Sequence, residues 1–126
     1  MGTKGFVAVT LTGNIDNNTM ILGVRSDGFL FNLNKLANDA MKAARSERVL
    51  TNFRNGDKAA VKRVFKRVCE MNNDWCFIDI AGNAQWVSYS VTLNPKTGKV
   101  TMWEGSLEYP YTPPNTVPHQ TTCVAV

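Results

Sequence analysis

The residues of this sequence with the clearest chemical potential are cations that recur along one predicted helix. Lys58, Lys62 and Lys66 are spaced four residues apart, with Arg63 and Arg67 beside them. Side chains at this spacing lie on one face of a helix, so the three lysines form a single outward ridge. Like charges four residues apart repel each other, so helix stability does not explain the ridge. Phosphate groups would offset the repulsion, because contacts from Lys or Arg release condensed counterions.

Positive charge is concentrated in the part of the chain that contains this ridge. Residues 35–67 hold ten of the fourteen Lys and Arg residues and three acidic residues, a net charge of +7, whereas the rest carries −3. Such a field attracts anionic partners without identifying them. We therefore predict a non-enzymatic binding protein for an anionic ligand, either nucleic acid or a nucleotide-like small molecule. The predicted ligand-binding cations are Arg48, Arg54, Lys58, Lys62, Arg63, Lys66 and Arg67.

The alternative for these cations is a solvated face that acidic residues of the sheet or of a neighbouring subunit neutralise. No aromatic residue interleaves with them. Neither a stacking platform for single strands nor the signature of an RNA-recognition sheet is therefore visible. The charge pattern predicts an anionic ligand more firmly than it predicts nucleic acid.

A second candidate site is the polar face of a predicted β-hairpin near residues 86–107. Two indoles and several hydroxyls alternate onto this face: Trp86, Ser88, Ser90, Thr92, Thr101 and Trp103. A base or sugar could stack on the indoles and bond to the hydroxyls, so Trp86 and Trp103 join the predicted ligand-binding residues. The alternative is an oligomeric interaction, assembly or inhibitor protein that contacts protein partners through this Trp-bearing face and the C-terminal tail, since Trp is enriched at the centres of interfaces.

Candidates for catalysis are few, and we predict that the chain is not an enzyme. His119 is the only histidine and lies four residues before Cys123 in a proline-rich tail, a poor setting for a nucleophile and its base. Asp79, within an apolar strand, is either a carboxylate with a raised pKa or a partner of an arginine or of backbone amides. No spacing indicates paired carboxylates, a phosphate-binding loop or a cofactor site.

The cysteines give no sign of a disulfide framework or of a metal site. Cys69, Cys76 and Cys123 are odd in number, share no Cys-x-x-Cys spacing and lie in three different predicted elements. Reduced and mostly buried thiols are the expected state.

The elements that position these residues follow from the period of the apolar side chains. Residues 6–12 and 19–25 alternate as strands, and Ser26-Asp27-Gly28 predicts a tight turn into a short third strand at Phe29–Phe31. From Leu33 the apolar spacing becomes three and four, which predicts one helix through Phe53. Asn55-Gly56-Asp57 ends that helix and caps a second, which runs to about Met71.

The rest of the chain reads as strands followed by a tail. Residues 75–81 are apolar on both faces, which is typical of a central strand. Residues 86–93 and 99–107 alternate on either side of a Pro-Lys-Thr-Gly turn and predict an antiparallel hairpin. Four of the five prolines fall between residues 109 and 118, which predicts an extended arm whose last residues could pair with a sheet edge.

These elements predict an α+β domain. An antiparallel sheet of about five to six strands, in the order ββ(β)-αα-βββ, carries a two-helix hairpin packed on one face. The domain covers residues 1–108, and residues 109–126 form the arm.

Composition adds expectations about the setting of the protein. With 126 residues, 44% of them hydrophobic, the chain is long enough to bury a core without metals or disulfides. No apolar run approaches the length of a membrane span and no signal peptide is visible, so we expect a cytoplasmic protein without a membrane partner. We also expect a homo-oligomer. Short length, abundant asparagine and the lack of motifs give the impression of a viral or mobile-element accessory protein.

Overall fold

The computed structural model describes residues 2–84 and 87–104 and the backbone of residues 117–123, which together form an α+β fold. One sheet contains six strands: β1 (Gly5–Val9), β2 (Met20–Val24), β3 (Cys76–Ile80), β4 (Tyr89–Leu93), β5 (Lys99–Glu104) and β6 (Val117–Cys123). Three helices lie between β2 and β3: α1 (Leu30–Ser46), α2 (Leu50–Arg54) and α3 (Lys58–Met71). The predicted fold class is confirmed.

The two long helices cover one face of the sheet, as their apolar stripes predict. Helix α1 packs on β1, β4 and β5, and α3 packs on β2 and β3 and against α1. The stripe of α3 consists of Val61, Val64, Phe65 and Val68, all of which are buried in the core under the helices. Burial of these side chains leaves the opposite side of α3 in solvent, where its cations lie.

The predicted first helix is in fact two helices, because it ends where Arg48 adopts a left-handed conformation with φ 59°. The amide of Arg48 donates to the carbonyl of Arg45, and that of Val49 donates to Ala44, at 3.1 and 3.0 Å. These two bonds form a Schellman motif, in which the left-handed residue is usually glycine. Because the residue at this position is arginine and not glycine, the sequence gives no signal for the end of α1.

The boundary between α2 and α3 is as predicted. Gly56 has φ 74° after the end of α2, a conformation that glycine adopts without a Cβ clash. Asp57 is the N-cap of α3, and its Oδ2 accepts a hydrogen bond of 3.0 Å from the amide of Ala60. The cap satisfies one of the free amides of the first turn.

The sheet is mixed rather than wholly antiparallel, because β1 and β4 run parallel while every other neighbouring pair is antiparallel. Strand β3 ends beside the start of β2, and β4 starts beside the start of β1. The chain between β3 and β4 must therefore cross the length of the sheet, over the face without helices. This crossing makes β4 parallel to β1.

Two further expectations about the strands are wrong. Strand β3 lies at the edge of the sheet, since the order is β3-β2-β1-β4-β5-β6, and its mixed burial is that of an edge strand. Phe29–Phe31 is not a strand, because Phe29 is the extended N-cap of α1 and Leu30 begins that helix. The predicted third strand would have paired with β2, but β3 pairs with that edge of β2 instead.

The turn before α1 uses its residues differently from the prediction. Asp27, not Gly28, has the positive φ, at 57°. Gly28 is needed for close approach instead, since an added Cβ would lie 2.7 Å from the amide nitrogen of Gly5 and 2.8 Å from Cγ2 of Val24. The turn therefore holds the start of α1 tightly against the first two strands.

The hairpin of β4 and β5 has the predicted register. Val91 pairs with Met102 and Leu93 with Val100, all four in the core under the helices. Ser90 pairs with Trp103 and Thr92 with Thr101, which places these side chains on the other face. Alternation of period two is sufficient to fix both faces here.

The face without helices has its own apolar cluster, which sequence analysis did not predict. Its buried members are Phe6, Ala8, Ile15, Ile21, Ala81, Ala84, Val87 and Trp103. Strands β1, β2 and β5 supply part of the cluster, and the loop before β2 and the segment crossing from β3 to β4 supply the rest. The chain thus covers much of this face itself.

The predicted arm contributes the sixth strand. Residues 117–123 pair antiparallel with β5, in agreement with the expectation that the end of the chain can join a sheet edge. Pro118 fits an edge strand, where a missing amide costs no ladder bond. The other residues of the arm, 109–116 and 124–126, lie outside the described residues. None of the helices in the described ranges has the length and apolarity needed to cross a bilayer.

Candidate anion-binding face

The solvent side of α3 carries the candidate site, a basic face made of Lys58, Lys62, Arg63, Lys66 and Arg67. All five side chains are exposed. Because a helix rises 1.5 Å per residue, the three lysines follow one another at intervals of about 6 Å along the axis. The spacing in the sequence and the burial of the apolar stripe therefore produce one continuous cationic ridge, as predicted.

The lysines of the ridge have no acidic partner in the part of the chain that the structure describes. Its salt bridges within 4.0 Å involve Lys35, Arg63 and Arg67, but not Lys58, Lys62 or Lys66. The solvent side of the helix thus carries three exposed ammonium groups without a carboxylate within 4.0 Å among the described residues. This is the charge arrangement that an anion would relieve.

The arginines of the basic face are each matched by one carboxylate. Arg63 Nε lies 3.3 Å from Oε1 of Glu47, which follows α1, and Arg67 Nη1 lies 3.2 Å from Oε2 of Glu70. The side chains of both arginines are about half exposed, at 62% and 45%. Exposed pairs of this kind contribute at most about 1 kcal/mol, so a stronger anion can compete for either guanidinium.

A shallow hollow of about 440 Å³ lies along the basic face. Its lining is almost entirely charged: Glu47, Ala59, Lys62, Arg63, Lys66, Arg67 and Glu70. Pockets for drug-sized ligands are mainly apolar and aromatic, with few polar groups. The hollow is open and its described lining contains no aromatic ring, so it suits contact with phosphate oxygens better than enclosure of a base.

The two remaining predicted cations lie apart from the ridge. Arg48 borders a separate hollow of about 230 Å³ formed with the first residues of α2. Arg54 donates from Nη2 to the backbone carbonyl of Lys96 at 3.3 Å, which joins the end of α2 to the β4–β5 turn. The structure therefore does not bring Arg48 and Arg54 into the hollow that holds Lys62 and Lys66.

Trp103, one of the two tryptophans predicted to bind ligand, does not share a surface with the basic face. Trp103 lies on the face of the sheet without helices, where it is only 8% exposed, and its Nε1 donates to Oγ1 of Thr92 at 3.3 Å. A ring this well covered offers little area for stacking. Trp86 lies outside the described residues.

Asp79 is the one catalytic candidate whose side chain lies within the described residues, and its contacts are those of a turn. Oδ1 of Asp79 accepts hydrogen bonds from the amide of Ile80 and from Nδ2 of Asn83, both at 2.8 Å. The carboxylate thus secures the turn after β3, which is the alternative considered for it. His119 and Cys123 lie in β6, whose side chains are outside the described residues.

A pair of thiols is the feature that sequence analysis missed. Cys69 of α3 and Cys76 of β3 are free, and the thiol of Cys76 donates a hydrogen bond to Sγ of Cys69, with 3.7 Å between the sulfurs. They meet because Asn73 and Asp74, both left-handed with φ 53° and 58°, reverse the chain between the two elements. Two asparagines before an aspartate, Asn72-Asn73-Asp74, were the available signal for such a reversal.

The environment of both thiols keeps them protonated. Burial, and then the neighbouring Cys69, raise the pKa of Cys76 to about 12, and Asp39 of α1 acts in the same direction. Burial also raises the pKa of Cys69, the hydrogen bond with Cys76 opposes the rise, and the charges of Asp74 and Glu70 add to it. At neutral pH both groups are therefore almost entirely protonated thiols, and the thiolate that reacts with oxidants or alkylating agents is a minor form.

We expect Cys76 to resist alkylation by iodoacetamide in the folded protein at pH 8, because about one molecule in ten thousand carries the thiolate four units below the pKa. A raised pKa favours the neutral thiol, so labelling should accelerate as the pH rises towards 12. Peptide mass mapping over time measures this, with the same protein in denaturant as the control. Equal labelling of Cys76 at pH 8 in both states would contradict the expectation.

Neither a metal site among the described residues nor a relationship to known proteins is found. In residues 2–84 and 87–104 no group of three or more His, Cys, Asp or Glu side chains could hold a metal ion. Comparison with protein-family models, with curated proteins and with solved structures yields no match for this chain. The functional argument therefore rests on the geometry of the basic face.

Proposed function

We propose that this protein is a non-enzymatic binder of phosphate-bearing anions, most favourably the backbone of a nucleic acid, through the basic face of α3. The observation that carries the proposal is the row of exposed lysines, Lys58, Lys62 and Lys66, without an acidic partner in the described chain. A polyanion neutralises several of these charges at once and gains entropy by releasing counterions.

The rigidity of the basic face supports this proposal. Helix α3 is anchored by a buried apolar stripe and by the Asp57 cap, so its cations keep a fixed spacing before a ligand arrives. Little conformational entropy of the backbone is then lost on binding. The arginines extend the same face, since their exposed pairs with Glu47 and Glu70 can be exchanged for phosphate contacts.

The chemistry of the hollow favours contact with phosphates over recognition of bases. Its lining offers no aromatic ring, and Ala59 is its one apolar member. Sequence readout requires stacking or hydrogen bonds to base edges, whereas Lys and Arg on an open helix face contact phosphates without regard to sequence. Binding should therefore be strongly dependent on salt and weakly dependent on base composition.

The alternative proposal, an assembly or interaction protein that uses a Trp-bearing sheet face, has less support. Trp103 is packed with Ile15, Val87 and other residues of its own chain. A partner would find little of this indole to bury. No observation on the described residues favours this alternative over the basic face.

Fluorescence anisotropy with labelled oligonucleotides and labelled ATP tests the proposal. Single-stranded and double-stranded oligonucleotides of mixed sequence are titrated at about 50 and 200 mM salt, the range over which phosphate contacts weaken markedly. We expect oligonucleotide binding at the lower salt that falls steeply at the higher, with similar affinities for unrelated sequences. Binding of ATP alone would reassign the site to a small nucleotide. Failure of every probe to bind at the lower salt would refute the proposal.

A further inference from the structure

The two thiols between α3 and β3 lie where an oxidant can join them. Cys69 and Cys76 approach to 3.7 Å between sulfurs, although seven positions separate them in the chain. Their mutual position is fixed by the reversal at residues 72–75, in which the amide of Asp74 donates to the carbonyl of Cys69 at 2.8 Å. This arrangement is independent of the basic face and of any ligand bound there.

The separation is that of two reduced thiols that are poised for a disulfide. A disulfide requires about 2.05 Å between sulfurs, so the two atoms must approach by less than the length of one side chain. Changes in the side-chain torsions of the two cysteines supply such a movement without displacing α3 or β3 far. No third metal ligand stands beside the pair among the described residues, so a metal site is the weaker explanation.

We propose that Cys69 and Cys76 form a redox modification site, which hydrogen peroxide converts into an intramolecular disulfide between α3 and the edge strand β3. Cys69 is the residue oxidised first, because it is partly exposed whereas Cys76 is only 4% exposed. Cys76 is the resolving residue, since it lies next to the sulfur that is first oxidised.

The reaction balances with peroxide as the two-electron oxidant. The sulfur of Cys69, as its thiolate, attacks one peroxide oxygen, the O–O bond breaks, and water leaves with the thiol proton, which yields a sulfenic acid. The sulfur of Cys76 then attacks the Cys69 sulfur, the S–O bond breaks, and a second water leaves with the proton of Cys76. Two thiols and one peroxide thus become one disulfide and two waters.

The disulfide would secure one edge of the sheet. Among the described strands, β3 pairs only with β2, and it packs on the helices mainly through α3. A covalent bond from the last turns of α3 to the first residue of β3 closes a short loop. It lowers the conformational entropy of the unfolded chain. Oxidation should therefore raise the thermal midpoint by several degrees, the scale of shift that a short disulfide loop gives in a chain of this size.

The test treats the folded wild-type protein with hydrogen peroxide at mildly alkaline pH and maps the products by mass spectrometry. We expect loss of about 2 Da, the two hydrogens that a disulfide removes, and a cross-linked peptide pair containing Cys69 and Cys76. The thermal midpoint should rise and should return after treatment with a reductant. Oxidation of Cys69 to sulfinic acid while Cys76 remains a free thiol would overturn the proposal, as would a disulfide through Cys123.

Two variants make the assignment specific. Cys123→Ser should keep both the cross-link and the shift of the midpoint, whereas Cys69→Ser should lose both. If Cys69→Ser does not fold, the peptide map of Cys123→Ser decides alone, because it contains no cysteine other than the proposed pair. Absence of a cross-link in Cys123→Ser would refute the redox site and leave the proposal of phosphate binding untouched.

Discussion

Replacing Lys58, Lys62 and Lys66 together by glutamine is expected to lower the affinity for a single-stranded oligonucleotide by about two to three orders of magnitude at 50 mM salt. Each lost phosphate contact removes about 0.7 from the slope of log K against log salt, so the slope should fall by about 2. Glutamine is similar in length to lysine and a good helix former, so α3 should persist. Anisotropy titrations across a salt series measure both quantities.

A matched control variant removes the same charge elsewhere. Lys4, Lys96 and Lys99 are exposed and lie outside the helices, so their joint replacement by glutamine also reduces the net charge from +4 to +1. We expect this control to bind within about threefold of the wild type, because none of these charges belongs to the basic face and each acts on a bound ligand only through a screened field. Equal losses in both variants would show that net charge, not the basic face, drives binding.

The ridge could be predicted from the sequence because one helix determines it. The periods of Lys58, Lys62 and Lys66 and of the apolar stripe are local properties, and the structure places both as expected. The pairing of Arg63 with Glu47 could not be predicted in the same way, because the two residues belong to different elements. It depends on how α1 ends and on the angle at which α3 crosses it.

The strand pattern shows the same division between local and long-range information. The register of β4 with β5 follows from alternation and a short turn, and it is correct. The parallel pairing of β1 with β4 depends on the path between β3 and β4, which has no strand period of its own. The edge position of β3 was missed because its apolar composition resembles that of a central strand.

The cysteine pair was missed for a geometric reason. A spacing of seven residues with a helix on one side and a strand on the other fixes no distance between Cys69 and Cys76. The left-handed residues Asn73 and Asp74 reverse the chain, so that the end of α3 lies beside the start of β3. Asparagine and aspartate tolerate this conformation better than other residues with a Cβ, but tolerance does not specify which residue adopts it.

The second apolar cluster has the most direct consequence for function, because it decides which sheet face can meet a partner. Its coverage comes from a loop and a crossing segment whose small residues, such as Ala81 and Ala84, show no amphipathic period. Sequence analysis therefore left this face open and assigned it to ligand binding or self-association. Around Trp103, where Ile15 and Val87 are buried, the described part of this face forms a second layer of the core.

Replacing Ile15 by alanine is therefore expected to destabilise the fold by about 2–5 kcal/mol, the range for deleting a large aliphatic side chain from a packed core. Ile15 lies in the loop before β2, yet it is only 1% exposed and packs against the sheet face opposite the helices. A loss of this size is a large part of the stability of a small domain. Urea unfolding monitored by circular dichroism and by tryptophan fluorescence measures it.

Leu11 provides the matched control, since it belongs to the same loop and is 44% exposed. Leu11→Ala should change the free energy of unfolding by about 0.5 kcal/mol or less, as expected for a partly solvated side chain that leaves no cavity. The contrast between the two variants separates burial from a general sensitivity of the loop. If Ile15→Ala proved as mild as Leu11→Ala, the sheet face would be open rather than covered by its own chain, and an assembly surface there would regain its support.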